Sequence, residues 1–179
     1  MPLIIPNRPF GLREVDFAPW TGSAYGTAVK ADTAQEFTVN VESDTAVLAG
    51  DDEQKEQVAY NFRAAVTSTI GALHLEFEAA VTGATLATSG ISPTQVKSVT
   101  YKSTDFRPYG KIRGRMINAN GGGGDDIIEL PYVRFLAGPS TGAGQGNFAG
   151  ASYTGVGLPH PTDKVFLKKS QRETAAELT

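Results

Sequence analysis

At 179 residues and a formal charge of −3, the chain is one domain or one domain with extended arms, and it can bury a core without help from metals or disulfides. It has no cysteine, which excludes a disulfide framework, thiolate metal ligation and a cysteine nucleophile. Net acidity argues against holding nucleic acid by phosphate neutralisation, but not against a surface that nucleic acid slides past.

Residues 1–32 carry Pro2, Pro6, Pro9 and Pro19 together with Phe10, Phe17 and Trp20. Prolines at that density work against a regular element, yet large apolar side chains are costly to leave in water. An N-terminal arm packed on a neighbouring surface, the chain's own or another subunit's, satisfies both facts. A partly disordered terminus is the alternative. Leu3-Ile4-Ile5 is too short and proline-broken for a signal peptide, and no apolar run approaches the roughly 18 residues of a membrane helix. A soluble, unprocessed chain with no membrane partner is expected.

From Gln35 to Glu42, apolar Phe37, Val39 and Val41 alternate with Glu36, Thr38, Asn40 and Glu42, the period of a half-buried antiparallel strand. Its expected partner is either Thr45–Ala49 or Val58–Ser68. In the latter, Val58, Tyr60, Phe62, Ala64 and Val66 fall on one face. Residues 72–82 fit two periods. Leu73, Leu75 and Phe77 alternate as in a strand, while Leu73, Phe77, Ala80 and Val81 form a helical stripe with Gly83 as its stop. The Glu-Ala-Ala content favours a helix over about 72–82.

Further strands are expected over Gln95–Tyr101, Tyr109–Asn118, Asp126–Phe135, Phe148–Gly157 and Val165–Lys168. The second and third of these form a hairpin around a Gly-rich tip at 119–125. The fold class is therefore mainly β, an antiparallel sandwich or barrel over 33–170 with one flanking helix, an arm at 1–32 and a polar tail at 171–179.

Chemical motifs are weak. Gly142-Ala143-Gly144-Gln145-Gly146 has the wrong glycine spacing for a dinucleotide loop and no βαβ setting, and Gly121–Gly124 lacks a phosphate-loop ending. His74 and His160 lack neighbours at metal-ligand spacing. Asp51-Asp52-Glu53 and Asp125-Asp126 read as solvent-exposed turn acids. Lys111, Arg113 and Arg115 share one face of a strand, with Ile112 and Met116 opposite. Pairing with carboxylates on a neighbouring strand or subunit suits them better than phosphate contact. No nucleophile, base and acid set emerges. Neither enzymatic activity nor a cofactor or metal is expected.

Several segments carry a resemblance in their order: the alternating strand at 35–42, then Thr45-Ala46-Val47-Leu48-Ala49-Gly50-Asp51-Asp52, a long strand, and Glu78-Ala79-Ala80-Val81-Thr82-Gly83 closing a helix. Tyr109-Gly110-Lys111-Ile112-Arg113-Gly114 and Ile127-Ile128-Glu129-Leu130-Pro131-Tyr132-Val133-Arg134-Phe135 follow, then a strand over 146–157. Over about residues 30–170 this order resembles the major tail tube proteins of long-tailed, non-contractile bacteriophages. The Gly121–Gly124 tip and the proline-rich start have no counterpart in that pattern.

The resemblance implies a β-sandwich with a flanking helix. It also implies hexameric rings in which each subunit gives a hairpin to an inner barrel, with stacking through arms, a long loop and C-terminal segments. It implies a virion tail location after assembly in the host cytoplasm, and DNA passing the lumen without specific binding. The implied partners are the chain itself and the tape measure, terminator and distal tail proteins. Phe10, Phe17 and Trp20 are then the expected arm contacts, and Lys111, Arg113 and Arg115 the expected cross-subunit ion pairs. Glu36, Glu42, Asp125, Asp126 and Glu129 are the candidate lumen or interface acids. Another virion component, such as a capsid decoration or tail-terminator protein, is the alternative. A sugar- or ligand-binding β-sandwich would need a concave polar-aromatic site.

Overall fold

The computed structural model describes residues 9–50, 53–119, 124–145 and 149–178. The strands in chain order are β1 (Pro9–Pro19), β2 (Val29–Ala31), β3 (Ala34–Gly50), β4 (Glu53–Ile70), β5 (Thr85–Ser89), β6 (Val96–Thr100), β7 (Gly110–Asn118), β8 (Asp125–Phe135), β9 (Ser140–Gly142), β10 (Gly150–Gly157) and β11 (Lys168–Gln171), with one helix, α1 (Leu75–Thr82), between β4 and β5. The main sheet runs β2-β1-β7-β8-β10-β4-β3, with β11 added to β8 and β9 to β10, while β5 and β6 form a separate pair. Every pairing is antiparallel. The expectation of a mainly-β antiparallel fold with one helix holds.

The sheet curls over its own inner face. Phe37 of the edge strand β3 lies so close to Gly114 of β7 that a Cβ at 114 would collide with its ring. The enclosed core draws Val15 and Phe17 from β1, Ala64, Val66 and Ile70 from β4, Ile112 from β7, Leu130, Val133 and Phe135 from β8, and Tyr153 from β10. Phe17 meets Phe135 edge-on at 5.9 Å between ring centroids, and Phe77 of α1 meets Tyr153 edge-on at 5.4 Å. Each such side chain contributes about 2–3 kcal/mol by burial, with the edge-to-face geometry adding to it.

The helix begins at Leu75, so Leu73 lies outside the stripe expected for it and is half exposed. Phe77 and Val81 turn into the core. Gly83 closes the helix in the left-handed conformation, φ 73°, and its N–H donates to Ala79 O at 2.9 Å. A side chain there would run into the Phe106 carbonyl, so this glycine serves both the turn and a close backbone approach.

The N-terminal expectation needs correction. Residues 9–19 and 29–31 are strands of the main sheet, and β1 lies between β2 and β7. Pro9 and Pro19 sit at the two ends of β1, where a missing N–H is tolerated, so they bound the strand instead of breaking it. Gly11, at φ 89°, accompanies the register shifts near the start of β1. Pro2, Pro6 and Leu3-Ile4-Ile5 lie outside the described residues.

Thr45–Ala49 is a continuation of the first strand and not its partner. β3 pairs along its whole length with β4, which includes the alternative partner, Val58–Ser68. One face over Val58–Val66 is also corrected. Asn61 has φ 53°, and the register slips between Glu42 and Asp44, so Val58 and Tyr60 stand on the face opposite Ala64 and Val66. The last strand is Lys168–Gln171, later than the expected 165–168. β7 and β8 form the expected hairpin, with residues 120–123 of its tip outside the described residues. The C-terminal segment is no free tail: Leu178 is buried.

Candidate assembly surfaces

The outer face of β1, β7 and β8 carries a ladder of charges opposite the core. Asp16 and Arg113 face one another in the β1–β7 register, as do Glu14 and Arg115, with inward Val15 between the two pairs and inward Phe17 just beyond Asp16. Arg113 holds Asp16 with both prongs of its fork, Nε donating to Oδ1 at 3.0 Å and the second nitrogen to Oδ2. This hydrogen bond, with nearby Glu129 and Glu14, raises the pKa of the guanidinium. Arg115 Nε lies 2.9 Å from Glu14 Oε1, an ion contact whose angle does not make a hydrogen bond, and Arg115 also donates to Asp125 at 3.3 Å.

The chain's own end covers this ladder. The Ala176 N–H donates to Asp125 Oδ2 at 2.8 Å and the Leu178 N–H to Glu14 Oε1 at 2.6 Å. Lys30 of β2 reaches Glu177 at 3.4 Å. The Arg172 backbone crosses Gly124 so tightly that a Cβ at 124 would overlap it.

Several expected site residues are thereby corrected. Arg113 and Arg115 make ion pairs within the chain, because a strand of the same subunit presents acids in register with them. Asp125 is neither a turn acid nor a lumen acid: it is a fully buried member of β8. Phe17 is fully enclosed in the chain's own core, which removes it from any arm contact. Asp126 and Glu129 lie half-buried on β8 beside β11, where Glu129 is opposite Lys168.

The other expected residues fall in three places. Phe10 is 72% exposed at the start of β1. Trp20 belongs to an aromatic cluster, edge-on to Tyr25 and to His160, each at 4.9 Å. Lys111 sits 4.6 Å above the Tyr25 ring, so it leaves the basic stripe for a cation–π contact. The Tyr25 hydroxyl donates to Pro131 O at 2.9 Å, and burial, then Glu129 and Asp163, push its pKa up to about 12. His160 immediately precedes a turn, and its ring is buried against Trp20 and Tyr132. Glu36 is exposed and accepts from Thr38 Oγ1, whereas Glu42 pairs with Arg63 at 3.0 Å.

Sequence reasoning missed the length of the β3–β4 ribbon. The two strands have 17 and 18 residues, but β10 pairs with β4 only over Ala64–Ile70. Beyond Ala64 the strand runs on roughly 30 Å as a two-stranded ribbon. Val47 and, on the opposite face, Leu48, Val58 and Tyr60 are all about half exposed or more. Periodicity gave no signal there, since 42–50 reads as four polar residues, Glu42–Thr45, followed by four apolar ones, Ala46–Ala49.

At the base of the ribbon, Phe62 stacks near Phe166 at 6.3 Å beside an open cavity of about 610 Å³, which Leu158, Pro159 and Lys164 also line. A smaller hollow of about 280 Å³ lies by Glu78, Tyr101 and Arg107. Tyr101 donates to the buried Glu78 carboxylate, and burial followed by that bond pushes its pKa up to about 12. Among the described residues no group of three or more histidines and carboxylates is arranged to hold a metal ion, and no helix is long and apolar enough to cross a membrane. No protein-family model matches the chain, and no curated protein is significantly similar to it.

Proposed function

We propose that the chain is a structural subunit that assembles with copies of itself, as the tube-forming protein of a phage tail whose stacked hexameric rings conduct DNA. The observation that carries this reading is the β3–β4 ribbon. Two long strands project past their last neighbour with apolar side chains on both faces. An isolated two-stranded ribbon is marginal in water, and its open edge invites pairing. A neighbouring subunit resolves both.

Charge supports the conduit. Residues 34–63 hold seven acids and two bases, a net −5, so a lumen lined by these acids repels phosphate and lets DNA pass without adhering. In this reading Glu36 and Glu42 are the lumen acids, and tape measure, terminator and distal tail proteins are the further partners. The test is electron microscopy of the purified protein. Long hollow tubes are expected. Isolated rings or trimers would favour a decoration or terminator role, and a monomer at every concentration would overturn the proposal.

A further inference from the structure

Arg134 is poised differently from its neighbours on the sheet. Arg63, Arg113 and Arg115 all reach carboxylates within the chain. Arg134, outward-facing between buried Val133 and Phe135, has no carboxylate partner among the described residues, and its Nε is shielded from solvent without an acceptor. Its guanidinium lies 4.5 Å from the Phe106 ring and 5.2 Å from Tyr109, while Tyr109 stacks flat on Tyr132 at 4.2 Å. Phe106 is 70% exposed. A guanidinium held between aromatic faces, with its fork free, is preorganised for one planar carboxylate. Arginine and tyrosine packed together are also the composition of an interface hot spot.

We infer that this clamp receives the ribbon of a second copy, with the Glu56 carboxylate on Arg134 and Leu48, Val58 and Tyr60 on the rings around it. The proposal rests on the self-assembly reading and names its contact. In the β3–β4 register, Leu48 lies opposite Glu56 and Ala46 opposite Val58, so one carboxylate is framed by exposed apolar side chains on a single face. Asp44, on that face, is already held by Arg63 and Asn61, whereas Glu56 is exposed and has no partner among the described residues. The charge balance agrees. The whole chain carries −3 and residues 34–63 carry −5, so the remainder carries +2. A negative ribbon meets a positive body.

The test is a charge exchange. Glu56→Arg and Arg134→Glu are made singly and together, with far-ultraviolet circular dichroism and Trp20 fluorescence as folding controls. Arg134→Gln serves if Arg134→Glu does not fold. Assembly is read as the concentration giving half-maximal sedimentation. Each single reversal should raise that concentration by about tenfold or more, since one lost ion pair of this kind is worth at least that factor. The double exchange should bring it back towards the wild-type value. Wild-type assembly untouched by either reversal, or blocked by both without recovery in the double variant, overturns the clamp while leaving self-assembly standing. A wild-type protein that never assembles overturns both.

Discussion

The C-terminal segment allows a prediction whose size follows from the structure. Docking residues 175–178 buries the Leu178 side chain, worth about 2–3 kcal/mol. It also makes two hydrogen bonds to carboxylates, Ala176 to Asp125 and Leu178 to Glu14, at about 1.5–3 kcal/mol each. Against that gain of about 5–9 kcal/mol stands the ordering of four residues, at about 1–2 kcal/mol apiece. Taken end for end, the two ranges leave a net hold of about 1 kcal/mol, smaller than the Leu178 contribution alone. Leu178→Ala should therefore release the segment entirely, and its cost should saturate at the docking free energy. Deleting residues 175–179 should cost the same about 1 kcal/mol, because Glu14 and Asp125 are rehydrated once uncovered. Urea unfolding of the monomer, followed by the single tryptophan, measures both variants. A Leu178→Ala cost near 4 kcal/mol, the range of a fixed core site, would refute the reasoning. So would a deletion much costlier than the point change.

Asp16→Ala strands the Arg113 guanidinium on the covered face, and the expected loss is about 3 kcal/mol, the low end for a broken buried pair because Glu14 and Glu129 remain near. Denaturant titration of Asp16→Ala against Asp16→Leu/Arg113→Met checks this: the double change should recover most of the loss. Gly83→Ala should cost at least about 2 kcal/mol, and Gly83→Asn should not rescue it, since the Phe106 carbonyl excludes any Cβ whatever its tolerance of positive φ. Tyr25 and Tyr101 have folded pKa values raised from 10.0 to about 12, so folding favours their protonated forms. That stability is fully present below pH 10 and is lost as pH rises from about 10 to 12; tyrosinate absorbance should show a component near 12 that Tyr25→Phe and Tyr101→Phe each diminish.

Periodicity made much of the fold legible. Phe37, Val39 and Val41 marked a strand, and Gly83 marked the end of the helix through its own chemistry. What stayed hidden depended on partners distant in sequence. Pro9 and Pro19 read as breakers because sequence does not show that they terminate a strand whose middle, Glu14–Ala18, contains no proline. Arg113 and Arg115 were correctly placed on one face, but Asp16 and Glu14, the acids opposite them, lie some hundred residues away on β1, and only the register assigns them. The flip at Asn61 was invisible for the same kind of reason. One residue with positive φ shifts the pairing, and every side chain beyond it changes face.

In the proposed self-assembly, the uneven charge constrains how two copies would meet. Two ribbons, each carrying −5 over residues 34–63, repel one another, so a symmetric ribbon-to-ribbon contact is disfavoured before any packing is considered. The charge ladder on β1, β7 and β8 does not offer an alternative, because its acids and bases satisfy one another under residues 172–178. The edge of β3 is guarded in the same way, since Glu36, Glu42 and Asp44 discourage unselective strand addition. Attraction is left to a contact between unlike surfaces, a ribbon against the body of the next copy. Made in one direction, such a contact would be heterologous: each subunit uses one surface to bind and offers the other to be bound. Repeated, it closes into a ring or runs on as a filament according to its rotation. A charge distribution that disfavours ribbon-to-ribbon pairing thus leaves open the contact between unlike surfaces that the proposed tube requires.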